Sequence, residues 1–325
     1  MQLRRCALRR RVSSPTLICR CRRRAAGSTQ IEGMMFRSHS QNGEDIVLWR
    51  ALGSISQGTW IDVGANDPVV DSVTKVFSDA GWSGLNIDPL PVIEERLREA
   101  RPRDRNLCLA LGSAPGDLQF FTVEGALGLS TTDSDAAASY VSHGLDVTEH
   151  SVPMRTLASV WDEYVEGEVH FLKIDVEGAE RAVLEGADFS RHRPWIVLVE
   201  SVEPVVLDGT QRKEPGAIPP PPSTHGQWES LLTTNGYQFV LFDGLNRFYV
   251  ARERAEFLAP LLSVPFNVLD QAELSSSRAE RDRLEQELAR MSAERDVLGG
   301  ELAAIRASSS WRVTSPLRRL RSFFS

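Results

Sequence analysis

Apolar runs and amphipathic segments alternate along the middle of this 325-residue chain. Continuous apolar runs predict buried strands, and apolar residues spaced three or four positions apart predict helices. Strands are predicted at 59–63, 84–88, 106–111, 169–174 and 195–200, and helices at 40–52, about 70–80, 90–100, 156–164 and 178–186. This alternation favours an α/β fold, in which a doubly wound, mostly parallel sheet is covered by helices on both faces.

Three further features extend this plan. A pair of strands at 118–123 and 152–154 brackets a polar loop, and a hairpin-like pair at 237–242 and 248–251 would add an antiparallel edge to the sheet. Ahead of that hairpin lie four consecutive prolines, which fix an extended backbone and exclude a helix. The segment 214–226 that contains them is either a lid over a site or a plain spacer.

The C-terminal part has a different composition, rich in Ala, Glu, Arg and Leu. Apolar residues recur there every seven positions, at Leu284, Met291, Leu298 and Ile305. This heptad spacing predicts a helical, coiled-coil-like extension over 266–307, which is either a coiled coil between two copies or a solvated helix on the body. The tail 308–325 joins aromatic residues to arginines without any acid, as in a segment that docks on a membrane surface or partner, or in a disordered end.

The net charge of −7 is unevenly distributed, because residues 1–24 hold nine arginines and no acid. The remaining chain is strongly acidic, which argues against nonspecific nucleic-acid binding by the main domain. We expect residues 1–37 to be a disordered leader or the product of an upstream start codon assigned in error. The main domain is then 38–265, followed by the helical segment and the tail.

The cysteines and the hydropathy indicate the compartment. Three of the four cysteines, Cys6, Cys19 and Cys21, lie in the leader, and only Cys108 lies in the main domain. This is no disulfide framework, so we expect a reducing cytoplasm, with the tail as a means of docking on the inner membrane. No run of eighteen apolar residues occurs, so no membrane span is predicted.

The first polar constellation follows two neighbouring predicted strands. The segment W-I-D-V-G-A-N-D at 60–67 supplies Asp62, Gly64 and Asn66, and G-L-N-I-D-P at 84–89 supplies Asp88. A small turn admits a ligand close to the backbone, and a carboxylate one strand over can accept both ribose hydroxyls. The G-x-G-x-x-G of a pyrophosphate site is absent, and oxygen-bearing side chains suit a cation, which favours S-adenosylmethionine as the cofactor. The alternative is that Asp88 only caps the helix that follows.

The second constellation is K-I-D-V-E-G-A-E at 173–180. Its strand would carry Asp175 to the carboxyl edge of the sheet, followed by Glu177, and Glu200 would end the neighbouring strand. One of these carboxylates is a candidate general base toward an acceptor hydroxyl, and His225 on the proline-rich loop is a second candidate. Acids are also favoured near helix N-termini for structural reasons alone. No spacing of cysteines or histidines predicts a metal site.

These motifs together resemble the FkbM-type S-adenosylmethionine-dependent methyltransferases over about residues 38–252. The resemblance rests on the motifs S-Q-N-G-E-D at 40–45, D-V-G-A-N-D at 62–67, G-W-S-G-L-N-I-D-P at 81–89, K-I-D-V-E-G-A-E at 173–180, L-E-G-A-D at 184–188 and F-D-G-L-N-R-F-Y-V at 242–250. It implies a Rossmann-like fold and O-methylation of sugar or polyketide hydroxyls. The family more often has Glu where Asp88 stands, and a small or polar residue where Pro68 stands.

The C-terminal S-S-W-R-V-T-S-P-L-R-R-L is similar to tails of bacterial polysaccharide-assembly proteins. We therefore predict an O-methyltransferase that acts on a sugar hydroxyl in bacterial surface polysaccharide biosynthesis. Its partners would be a glycan or other hydroxyl-bearing acceptor, glycosyltransferases reached through the tail, and a second copy of the chain. The alternative is a non-catalytic scaffold that recruits glycan-assembly enzymes through its C-terminal helix.

Overall fold

The computed structural model describes residues 36–123, 134–203 and 221–275, and then residues 283, 290, 291, 294, 295, 297, 298 and 300–313. All of them belong to one compact unit, Met35–Ser325. Several predicted features therefore lie outside the described residues. They are the leader up to residue 35, most of the proline-rich segment, the heptad residue Leu284 and the end of the tail from residue 314.

A seven-stranded sheet forms the centre of the fold. Its strands are β2 (Thr59–Val63), β3 (Ser83–Asp88), β4 (Arg105–Cys108), β8 (Phe171–Ile174), β9 (Ile196–Glu200), β10 (Tyr237–Phe242) and β11 (Asn246–Ala251), in the order β10-β11-β9-β8-β2-β3-β4. The pairs from β4 to β9 are parallel, whereas β11 pairs antiparallel with both β9 and β10. The predicted mostly parallel sheet with an antiparallel edge pair is confirmed.

Two short sheets complete the set of strands. One is three-stranded, with β5 (Ala110–Leu111), β6 (Gly116–Val123) and β7 (Val147–Arg155) in the order β5-β7-β6. The other pairs β1 (Phe36–Ser38) with β12 (Ala272–Leu274) in parallel. The prediction of one strand over 106–111 is wrong, because pairing with β3 ends at Cys108 and the chain then pairs with β7 instead.

The helices whose bounds lie within the described residues are short, and most of them flank the central sheet. They are α1 (Glu44–Leu52), α2 (Lys75–Asp79), α3 (Pro91–Ala100), α4 (Ser134–Ser142), α5 (Leu157–Tyr164), α6 (Glu180–Glu185), α7 (Glu229–Thr233), α8 (Ala255–Leu262) and α9 (Ser309–Val313). Helix α4 packs against β6 and β7 of the three-stranded sheet instead. Three helices start later than predicted. Glycines with positive φ precede α1 and α6 (Gly43, 79°; Gly178, 102°), and the residues before α2 form a loop held by Arg101. The sequence analysis predicts none of α4, α7 and α8: α4 lies within the predicted polar loop, and α8 contains Pro260.

Strands β2, β8 and β9 are buried on both faces, which explains their continuous apolar runs. Alternate side chains enter two separate cores. Ile61, Leu172 and Val197 pack on one face beneath α5, α6 and α7. Trp60 and Phe171 pack on the other face beneath α1 and α8. Residues two positions further along these strands therefore share a face with Trp60 and Phe171, and several of them are polar.

Segments near residue 270 contact the first helix and the first strand of the main domain. Arg50 of α1 forms an ion pair with Asp270 (Nη2 to Oδ2, 2.8 Å), and β12 pairs with β1. Asp270 and β12 lie beyond residue 265, where the sequence analysis places the end of the main domain, and they still contact that domain. The described positions beyond residue 283 are almost all helical and expose Leu298 and Ile305, while the coiled coil stays a prediction. Among the described residues, no helix is long and apolar enough to cross a membrane.

Candidate cofactor and catalytic site

The polar strand ends meet at one place on the carboxyl edge of the sheet. Strand order reverses between β2 and β8, since the chain runs outward from β2 through β3 to β4 and then returns to β8 on the other side of β2. Doubly wound sheets bind ligands in the crevice at such a reversal. Asp62 and Asp88 lie in the neighbouring strands β2 and β3, Asp175 follows β8, and Glu200 ends β9. The structure thus brings these four predicted residues to one edge.

A buried lysine joins the two strands at the reversal. Lys173 Nζ lies 3.3 Å from Asp62 Oδ1 and 3.2 Å from Asp175 Oδ2, and it donates a hydrogen bond to the Gly64 carbonyl oxygen at 3.1 Å. Burial lowers the pKa of Lys173, but the carboxylates of Asp175 and Asp62 outweigh it and raise that pKa above its usual range. The side chain is therefore an ammonium ion. It connects Asp62 and Gly64, which are predicted to bind the cofactor, with Asp175, which is predicted to be catalytic.

Sequence reasoning did not count Lys173 among the site residues, although a signal was present. A lysine within an otherwise apolar strand is rarely buried unless it is paired with acids. Lys173 is 6% exposed and follows Phe171 and Leu172, which are fully buried. The two acids that pair with it were both identified from their own motifs.

Asp62 faces the protein interior. Its side chain is 1% exposed, and Thr74 Oγ1 donates a hydrogen bond to Oδ2 at 3.1 Å. Together with the contact to Lys173, this gives both carboxylate oxygens a neighbour from within the chain. The prediction that Asp62 binds the cofactor stays a prediction.

Gly64 is required by the neighbouring loop. Its φ is 78°, and a Cβ atom placed on it would lie 1.7 Å from the carbonyl oxygen of Asp175. No larger residue fits there, because the turn after β2 packs directly against the backbone after β8. The sequence analysis explains the small residue by close approach of a ligand. In the structure, the close approach of the backbone at Asp175 is the reason that glycine is required here.

Asp88 organises both the turn after β2 and the start of α3. Its Oδ2 accepts the backbone N–H of Asn66 at 3.0 Å, and its Oδ1 accepts the backbone N–H of Leu90 at 2.9 Å. The second bond closes a turn ahead of α3, whose N-cap is Leu90 and has no side-chain cap, so the alternative that Asp88 only caps this helix is wrong. Each oxygen retains a second lone pair, so these bonds leave capacity to accept a hydroxyl. Burial raises the pKa of Asp88, and these two N–H groups counteract it.

Asp175, Glu177 and Glu200 form a compact acidic cluster. Ile174 pairs with Val199, so Asp175 and Glu200 follow paired positions on the neighbouring strands β8 and β9. Burial, then the charge of Asp175, raises the pKa of Glu200 to about 9, so Glu200 holds a proton at neutral pH. Burial, then Asp175, also raises the pKa of Glu177. In the described part of the chain, no group of three or more His, Cys, Asp or Glu residues is arranged to hold a metal ion.

The loop that carries Glu177 is fixed by the following helix. Glu177 has a φ of 53°, which is uncommon for a residue other than glycine. Glu180 Oε1 accepts the backbone N–H groups of Val176 and Gly178 at 3.2 and 2.9 Å. Glu180 therefore closes this loop, and Glu177 lies ahead of the helix.

His225 lies on a segment attached beside Glu200. Its Nδ1 is 2.6 Å from Ser223 Oγ, and that hydroxyl donates to the carbonyl oxygen of Ser201 at 2.9 Å. The imidazole thus contacts a serine rather than a carboxylate of the cluster. Its role as a second candidate base stays a prediction.

A further acid was missed altogether. Glu44, at the start of α1, accepts hydrogen bonds from Asn246 Nδ2 and from the backbone N–H of Asn42, both at 2.8 Å. Asn246 pairs directly with Glu200 across β11 and β9. Burial raises the pKa of Glu44 to about 7, and Asp243 adds to this effect. The motifs containing Glu44 and Asn246 were noted, but residues 202 positions apart give no local sign of contact.

Comparison with known proteins indicates a family for this chain. A family model described as the methyltransferase FkbM domain matches residues 62–239, which is more than half of the chain. Among solved structures, a TehB-like SAM-dependent methyltransferase from Corynebacterium glutamicum is similar, with 10% identity, a TM-score of 0.34, and coverage of 64% of this chain and 87% of that one. A comparison with curated proteins gives no match. On the family match, this chain belongs to the FkbM methyltransferase family.

Proposed function

We propose that this protein transfers a methyl group from S-adenosylmethionine to a hydroxyl oxygen of a neutral sugar. The observation that carries the proposal is the buried Lys173, which joins Asp62 and Asp175 where the strand order reverses. Beside this pair, Glu200 holds a proton at neutral pH. A carboxyl group paired with a lysine and a protonated carboxylic acid then lie together at the expected ligand crevice.

The residues present fit an adenosylated sulfonium. Gly64, Asn66 and Asp88 would hold the nucleoside, because a partly bonded carboxylate and an exposed amide side chain can take ribose hydroxyls. The acids around them favour a positively charged group. When bound, S-adenosylmethionine supplies an electrophilic methyl group. The chain supplies the acceptor's orientation and the destination of its proton.

The proton arrangement follows from the two neighbours of Asp175. Lys173 Nζ lies 3.2 Å from Asp175 Oδ2, whereas burial raises the pKa of Glu200 and keeps the proton there. A carboxylate oxygen of Asp175 can therefore accept the hydroxyl proton while the acceptor oxygen forms its bond to carbon. Glu200 can donate a hydrogen bond that orients either Asp175 or the acceptor.

The nature of the acceptor is also part of the proposal. Glu177 adjoins Asp175, so a carboxylate or phosphate near the reacting oxygen would be repelled by these two acids. This supports a neutral sugar. The resemblance of residues 309–320 to tails of polysaccharide-assembly proteins supports a role in surface polysaccharide biosynthesis. We further propose a cytoplasmic enzyme whose tail contacts a glycosyltransferase or the inner membrane, and whose C-terminal helix supports self-association.

The test begins with the cofactor. Isothermal titration should show binding of S-adenosylmethionine and S-adenosylhomocysteine. Tritium transfer from methyl-labelled S-adenosylmethionine should then be measured on a panel of methyl hexosides and the matching hexuronates, with transfer expected to the neutral members. Asp175→Asn should reduce kcat by about 100-fold or more, in the range known for loss of an acid–base group. The exposed Asp79→Asn serves as the control. Absence of cofactor binding would refute the proposal.

The pH dependence tests the assigned proton. If Glu200 must hold a proton, kcat should fall as pH rises through about 9, the pKa of Glu200. Glu200→Gln keeps a hydrogen-bond donor at neutral and alkaline pH, so this alkaline fall should disappear in the variant. An unchanged alkaline limb in Glu200→Gln would show that another group controls it.

A further inference from the structure

A buried arginine reaches from the end of α3 into the loop that follows the turn after β2. We call residues 66–74 the cofactor loop. Arg101 is 3% exposed, and its Nη1 donates to Thr74 Oγ1 at 2.6 Å. Its Nη2 donates to Ser72 Oγ at 2.6 Å and also to the carbonyl oxygen of Pro68. One guanidinium therefore holds the loop at three places.

The cofactor loop has no regular secondary structure of its own to define its shape. It lies between β2 and α2, and Asn66 and Asp71 within it have φ values of 50° and 55°. Such left-handed conformations are costly for residues other than glycine unless the surroundings impose them. Val69 and Val70 in this loop are exposed, and Val73 near its end packs in the core beneath α1 and α8. The bonds from Arg101 are a major set of contacts holding the loop.

The same arginine is linked to Asp62. Thr74 Oγ1 accepts a hydrogen bond from Arg101 and donates its own to Asp62 Oδ2 at 3.1 Å. Burial lowers the pKa of Arg101, and the charge of Asp62 is the largest influence that opposes it. Asp62 thus lies between two buried cations, with Lys173 in direct contact and Arg101 connected through one hydroxyl. Arg101 and Lys173 together fix the position of this carboxylate.

We propose that Arg101 is a positioning residue for the cofactor, which sets the shape of residues 66–74 and the orientation of Asp62 without touching the ligand. The inference rests on the proposed binding of S-adenosylmethionine. The guanidinium is buried behind the loop, and its described bonds go to the chain itself. It therefore acts through the backbone of the turn, which also contacts Asp88 through Asn66.

The experiment measures binding of S-adenosylhomocysteine by isothermal titration to the full chain. Arg101→Met should weaken binding at least tenfold. Thr74→Val, which removes the link to Asp62 together with one of the three bonds from Arg101, should weaken it at least threefold. If the two act in one path, the double variant should bind about as weakly as Arg101→Met alone. Arg103→Met is the control. Arg103 lies two residues after Arg101, but it donates to the carbonyl oxygen of Ser78, which is outside the cofactor loop. It should bind within twofold of the unsubstituted protein.

A second measurement separates positioning from general stability. Amide hydrogen exchange of the ligand-free protein should accelerate within residues 66–74 in Arg101→Met, and core strands such as β8 should keep their protection. If Arg101→Met does not fold, Thr74→Val and Ser72→Ala test the same contacts with smaller changes. Binding within twofold in every folded variant would overturn the role of Arg101 alone. Failure of the unsubstituted chain to bind would overturn the proposed function instead.

Discussion

Glu44 allows the cost of burying a charge in this fold to be measured directly. The side chain is 3% exposed, and its two oxygens accept hydrogen bonds from Asn246 and from the backbone of Asn42. Burial raises its pKa from an ordinary value of 4.5 to about 7. In the unfolded chain the group is exposed and titrates near its ordinary value. The ionisation of Glu44 should therefore contribute to the pH dependence of the free energy of unfolding.

The direction follows from proton binding. Between about pH 4.5 and 7 the folded state holds a proton that the unfolded state has lost, so stability falls as pH rises. The contribution of Glu44 is full below the unfolded pKa and is lost as pH rises through about 7. With those two pKa values, linkage gives a loss of about 2.5 kcal/mol between pH 5 and pH 8. Domains of this kind have about 5–15 kcal/mol of stability in total, so the effect is measurable.

The assay is urea unfolding at pH 5 and pH 8 of the unsubstituted protein, Glu44→Gln and the exposed Glu95→Gln. Glutamine keeps the shape and one acceptor oxygen, and the lost acceptor for Asn42 affects both pH values alike. Relative to the unsubstituted protein, Glu44→Gln should therefore gain about 2.5 kcal/mol between pH 5 and pH 8. Glu95→Gln should show no such gain. An equal stability difference for Glu44→Gln at both pH values would refute the reasoning.

Three other substitutions test the packing around the site. Gly64→Ala combines a positive φ with a clash against the Asp175 carbonyl, so it should destabilise by about 3 kcal/mol or more and abolish S-adenosylhomocysteine binding; a folded variant with normal affinity would contradict this. Arg50→Ala removes the ion pair with Asp270 and should cost about 2 kcal/mol and speed proteolysis near residues 264–275, whereas unchanged cleavage there would contradict it. Leu48→Ala, at a fully buried position, should cost about 2–5 kcal/mol in urea unfolding; a cost below about 1 kcal/mol would be inconsistent with that burial.

The central strands were predictable because burial on both faces leaves a direct trace in the sequence. The strands predicted at 59–63, 84–88 and 195–200 agree with β2, β3 and β9 to within one residue at each end. Each is a largely apolar run with an acidic residue at or next to its C-terminal end, namely Asp62, Asp88 and Glu200. Because parallel strands end at a common edge, the meeting of Asp88, Asp175 and Glu200 could be predicted as well.

Contacts between distant segments left no comparable trace. Strands β1 and β12 have three residues each, too few to show alternation, and their pairing joins the two ends of the body. The late start of α2 depends on Arg101, which bonds residues about 30 positions earlier. The helical pattern at 70–80 was genuine, but side-chain bonds from another element decided the local backbone.

The balance of charge at the carboxyl edge explains which ligands the site can accept. Both buried cations of this edge, Lys173 and Arg101, are already directed toward Asp62, and Lys173 toward Asp175 as well. In the described part of the chain, Asp88 and Glu177 form no ion pair, so the remaining charge is negative. Two unit charges 4 Å apart near a protein surface interact by about 4 kcal/mol. A cationic group in the crevice gains from this excess, while an anionic group would have to overcome it. The same distribution therefore supports our proposal of a sulfonium cofactor and of a neutral acceptor.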